Sequence, residues 1–169
     1  MNNQKIIDKL KRSDLTKFQN LSDLFDMARH TEDYDLNSEV WRLAARIARE
    51  RGDLEFYDLY KRSLLFAAPA RLDEYLMYLE FDRDPDKRFY VPRRRILKQA
   101  VDAMQALEDD ELDLVTLSMP PGVGKTTLAI FYLTWVMGRS PLKPSLASAH
   151  SSVLTGNVYS GVNSVLSDP

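Results

Sequence analysis

Apolar residues recur at helical spacing through the first 88 positions. Leu24, Phe25, Met27 and Ala28 mark one helix within residues 22–29. Val40, Trp41, Leu43, Ala44, Ile47 and Ala48 mark a second, with Asn37 as its N-cap and Gly52 as the glycine that ends it. Asp53 then caps a third, whose apolar positions are Leu54, Phe56, Tyr57, Tyr60, Leu64 and Leu65. Pro69 interrupts the pattern before Leu72, Tyr75, Leu76, Met77 and Leu79 resume it. The spacing predicts a helical N-terminal subdomain over residues 1–88. Amphipathic helices of this kind bury their apolar faces against one another or offer them to a partner protein.

The pattern changes after a polar, proline-containing turn at residues 82–88, where the subdomain boundary is expected. Phe89-Tyr90-Val91-Pro92 reads as extended, because a residue before proline avoids the α region. A helix is expected from near Arg93, with Ile96, Leu97, Ala100, Val101, Met104 and Leu107 as its stripe. Glu108-Asp109-Asp110-Glu111 ends it in a solvated loop. Two apolar runs follow, Leu112 to Met119 as a strand and Leu128 to Met137 as a helix. Ser145 to Ala149 reads as a short buried strand, and Ser151-Ser152 opens a helix through Val153, Leu154, Val158, Val162, Val165 and Leu166. Strand, helix, strand, helix predicts an α/β fold: the helical subdomain followed by the first part of a parallel-sheet, RecA-like P-loop NTPase core over residues 89–169.

Between the predicted strand and helix lies Pro120-Pro121-Gly122-Val123-Gly124-Lys125-Thr126-Thr127. Backbone N–H groups of a glycine-rich loop converge on an anion, and the positive end of the next helix adds to the attraction. Pro121, Gly122, Val123, Gly124, Lys125, Thr126 and Thr127 are therefore the expected phosphate-binding residues, with ATP as the ligand. Lys125 would reach the β- and γ-phosphates, and the Thr126 hydroxyl would ligate Mg2+ held through the nucleotide; these two are the candidate catalytic residues. Met119 stands where the usual motif has its first glycine. Upstream, Tyr90, Arg93 and Arg94 are expected to flank the adenine or the phosphates, since arginine stacks on a ring and donates hydrogen bonds together.

No Asp or Glu stands between Asp113 and Asp168. Phosphoryl transfer requires a carboxylate for the metal and a residue that orients water, so the hydrolytic half of such a site is expected outside this stretch, in a larger protein. Composition narrows the class little further. Hydrophobic residues make up 44% and charged residues 28%, as in ordinary globular chains. Cysteine is absent, which excludes disulfides and thiolate metal sites, and the only histidines are His30 and His150. A net charge of −2 argues against a nucleic-acid-coating protein. The absence of a long apolar run makes a cytoplasmic location the expectation.

Residues 89–169 resemble the N-terminal ATPase region of tailed-phage large terminase subunits. The proline-led loop from Ser118 to Thr127 carries the resemblance, with Phe89-Tyr90-Val91-Pro92-Arg93-Arg94-Arg95 in the place of that family's adenine segment. Leu146-Ala147-Ser148-Ala149-His150-Ser151-Ser152 looks like its second strand and helix. The loop lacks the arginine common there, and the adenine segment lacks a glutamine. The resemblance implies an ATPase that drives viral DNA into procapsids in a bacterial host cell, joined in the whole protein to an endonuclease. Its implied partners are double-stranded DNA, a portal protein and the small terminase subunit, in an oligomeric ring and without a membrane. Another nucleic-acid-dependent P-loop ATPase, such as a helicase or helicase loader, is a second reading. A helical assembly module with a regulatory nucleotide site is a third.

Overall fold

A computed structural model describes residues 3–167; Asp168 and Pro169 lie outside the described residues. The elements are α1 (Asn3–Lys11), α2 (Phe18–Thr31), α3 (Tyr34–Arg51), α4 (Leu54–Ala67), α5 (Leu72–Leu79), a 3-10 turn (Pro85–Lys87), α6 (Tyr90–Glu108), α7 (Lys125–Arg139) and α8 (Ser152–Leu166). No described helix is long and apolar enough to cross a membrane. The chain forms two compact units, Met1–Ala67 and Ala68–Pro169.

In the first unit, α3 packs along α4 and α2, and α1 and α2 close the layer. Leu21, Leu24, Phe25, Ala28, Val40, Ala44, Phe56 and Leu59 form its core. Asp33 caps α3, its carboxylate accepting from Leu36 N–H at 2.8 Å. Asn37, expected as that cap, instead lies in the core and donates to the Ser63 carbonyl at 3.0 Å. Gly52 ends α3 in the left-handed region at φ 66°, a backbone shape that favours glycine. Only part of the expected α4 face is inward: Phe56 and Leu64 are buried, whereas Leu54 is 81% exposed.

The parallel sheet expected in residues 89–169 does not form among the described residues. Among the described residues the chain is helical and contains no strand. Leu112 to Met119 carries no strand pairing, and Leu114 is 80% exposed. Ser145 to Ala149 is exposed throughout, not buried. An apolar run shows that a segment is suited to a strand; a strand exists only where a neighbouring backbone completes the hydrogen-bond ladder.

Residues 68–88, which the pattern grouped with the N-terminal helices, belong to the second unit, where α5 packs on α6 and α7. The Glu80 carboxylate explains this. It is 1% exposed and accepts from the backbone N–H groups of Phe89, Tyr90 and Val91 at 2.7, 2.7 and 2.9 Å. These are orphan donors of the first turn of α6. Helix therefore begins at Tyr90 rather than near Arg93, and Pro92 is tolerated in a first turn that needs no N–H from it. Behind it, Leu97, Ala100, Val101 and Met104 form the buried stripe of α6, while Ile96 is 69% exposed. The indole N–H of Trp135 donates to the Ala68 carbonyl at 2.9 Å, and Tyr75 and Thr134 share a hydrogen bond between α5 and α7.

Candidate phosphate-binding site

The segment that precedes α7 turns on two glycines. Gly122 and Gly124 lie in the left-handed region at φ 81° and 94°. No side chain caps the helix that Gly124 begins. Its first backbone bond runs from Leu128 N–H to the Gly124 carbonyl at 2.9 Å. The first N–H groups of a helix lack intrahelical partners, so the positive end of α7 is where an anion would be held. Lys125 arches back over the loop: its Nζ donates to the carbonyls of Met119 at 2.7 Å and Pro120 at 3.2 Å. The ammonium group is thereby held across the mouth of the turn. Thr126 is exposed, while Val123, Gly124, Lys125 and Thr127 are half-buried and Pro121 and Gly122 are exposed.

These residues fit a polyphosphate. Two positive-φ glycines supply the backbone shape, and a Cβ on Gly122 would meet open space. Lysine supplies the charge, and an exposed threonine hydroxyl supplies an oxygen to a cation brought by the nucleotide. Among the described residues no group of three or more His, Asp or Glu side chains is placed to hold a metal on its own.

The upstream residues divide. Tyr90 is fully buried, and its hydroxyl donates to Asp73 Oδ1 at 2.6 Å. Burial, with the Asp73 charge beside it, pushes the Tyr90 phenol far above its ordinary value. Arg94 forks onto the same carboxylate, Nε at 2.9 Å and Nη2 at 2.6 Å. That hydrogen bond raises the already basic guanidinium further. Burial alone would raise the Asp73 carboxyl, but the bonds from Arg94 and Tyr90 outweigh it and hold the group below the ordinary carboxylate value. Both residues are thus engaged by α5, and neither side chain is turned to the loop by these bonds. Arg93 differs. It is exposed, its guanidinium lies 5.4 Å from the centre of the Phe89 ring, and it donates to the Phe89 carbonyl at 3.1 Å.

Phe89 brings α6 to the loop. Its ring packs on Phe131 of α7 with centroids 5.9 Å apart. A Cβ on Gly124 would overlap Phe89 Cε2 and stand 2.7 Å from Cζ. Spacing gave no sign of this contact, nor of the roles of Glu80 and Asp73. Only packing of α5 against α6 reveals them.

Downstream, the acidic loop meets α7. Arg139 lies 3.7 Å from Asp109 and 4.0 Å from Glu108 and stacks over Trp135. Glu108 and Asp109 therefore stand at the far end of α7 from Lys125, away from the candidate site. Comparison of the chain with protein-family models, with curated proteins and with solved structures finds no match.

Proposed function

We propose that residues 120–127 bind the phosphates of a nucleoside triphosphate, ATP by preference, and that the chain belongs to an ATP-driven DNA-packaging motor of the large-terminase type. One observation carries the nucleotide reading: a two-glycine, positive-φ turn runs into an uncapped helix N-terminus, with Lys125 folded over it. The backbone N–H groups at the start of α7 would bind phosphate oxygens. Lys125 would exchange its two carbonyl acceptors for the β- and γ-phosphates, and Thr126 would offer its hydroxyl to Mg2+. When bound, that cation would offset the negative charge of the phosphates. Arg93, exposed beside Phe89, is the upstream cation that would face the nucleotide. The resemblance of the loop from Ser118 to Thr127 to that of terminase ATPase regions supports the motor reading, with double-stranded DNA, a portal protein and a small subunit as partners.

Titration calorimetry with MgATP on the wild type and Lys125→Ala tests the site. A lysine–phosphate contact contributes about 1.5–3 kcal/mol, so the variant is expected to bind at least about tenfold more weakly. Equal affinities, with both proteins folded by circular dichroism, would remove the nucleotide reading.

A further inference from the structure

We infer that Phe89 is a positioning residue of the phosphate loop, a wedge that holds Gly124 in its anion-binding conformation. The inference rests on the nucleotide reading of residues 120–127 and adds a determinant outside that loop. Three observations lead to it. First, the Phe89 backbone is anchored. Its N–H and that of Tyr90 are both held by the buried Glu80 carboxylate at 2.7 Å, and the neighbouring Tyr90 hydroxyl is tied to Asp73 at 2.6 Å. Second, the ring is clamped between groups that leave it little freedom. Phe131 packs on it at 5.9 Å, and the Arg93 guanidinium lies 5.4 Å from its centre. Third, its edge occupies the space that a side chain at position 124 would take.

A left-handed glycine is a soft element, because the residue loses more conformational freedom on ordering than any other. An anion nest needs that glycine ordered before ligand arrives, or binding must supply the ordering. A rigid ring against the Cα of Gly124 removes alternatives in which the loop collapses toward α6. The same geometry ties the loop to the α5–α6 bracket, so the loop and the first turn of α6 are coupled mechanically through one side chain.

The test uses the full chain with two probes, MgATP and inorganic tripolyphosphate with Mg2+, measured by calorimetry on the wild type and Phe89→Ala. Loss of preorganisation is expected to weaken both probes by about tenfold or more, the size of effect that small misplacements in a site produce. Phe89→Leu retains packing on Phe131 but lacks the ring edge at Gly124. It carries the same expectation and the same test should the alanine variant not fold. Unchanged affinity in a folded variant overturns the inference. Weakening of ATP but not of tripolyphosphate also overturns it, because the ring would then contact the base rather than set the loop. A wild type that binds neither probe fails the nucleotide reading itself, and this inference with it.

Discussion

Removing the Glu80 carboxylate is expected to destabilise the second unit strongly. Glu80→Ala strips three backbone donors of their acceptor, at 2.7, 2.7 and 2.9 Å. Their fates differ. Tyr90 is fully buried, so its N–H is left without water, at a cost of about 1–3 kcal/mol. Phe89 is half-buried and Val91 is 39% exposed, so water can replace the acid there. Those two lose only the surplus of a charge-assisted bond over a hydrated one, about 0.5 kcal/mol each, together with a favourable anion at a helix N-terminus. The sum is about 3 kcal/mol. Glu80→Gln keeps one acceptor oxygen but turns an NH2 toward a donor, so about half that loss is expected. The assay is urea unfolding followed by tryptophan fluorescence in a Trp41→Phe background, which leaves Trp135, 2% exposed on α7, as the reporter of this unit. A midpoint shift equivalent to less than about 0.5 kcal/mol for Glu80→Ala, the range of ordinary surface changes, would refute the assignment of Glu80 as the anchor of α6.

Asp73→Ala should cost about 2–4 kcal/mol, since it leaves the buried Tyr90 hydroxyl without its acceptor and releases the forked Arg94, read by the same unfolding assay. The folded Asp73 carboxyl titrates below its ordinary value of 3.8, so its contribution is fully present above about pH 4 and is lost as pH falls through the folded value. Asp73→Asn should therefore flatten part of the acid limb of the stability profile below about pH 4, and an unchanged limb would count against the coupling. Gly122→Ala meets open space and should carry only left-handed strain, about 1–2 kcal/mol, whereas Gly124→Ala adds the collision with Phe89 and should lower the thermal midpoint further. Equal shifts in a thermal melt would contradict that contact. Phosphate release with ATP, Mg2+ and DNA should stay at background for this chain, because residues 114–167 offer no carboxylate to a metal or to water. Turnover abolished by Lys125→Ala would show that an acid elsewhere in the chain completes the site.

The features legible in the sequence were those that depend on neighbours a few residues away. Gly52 ends α3 with a positive φ because a helix that stops there needs one residue without a Cβ penalty, and Ser151 caps α8 because its hydroxyl reaches Leu154 N–H three residues on. The Gly122–Thr127 turn belongs to the same class: two glycines, a lysine and a helix start specify its shape locally. What the sequence could not decide was any matter settled by a distant partner. Leu112 to Met119 and Ser145 to Ala149 have apolar runs suited to strands, yet strands form by pairing, and neither segment pairs among the described residues. Phe89 to Pro92 reads as extended from its proline, but a carboxylate at Glu80 supplies acceptors for the first turn and extends the helix over it. Tyr90, Arg93 and Arg94 are near neighbours in the chain with different fates, because Asp73 on α5 engages two of them and leaves the third beside Phe89 and the loop. Local chemistry determined the shape of the Gly122–Thr127 turn; tertiary packing decided which residues surround it, because burial and hydrogen-bond partners are properties of the folded neighbourhood and not of the chain position.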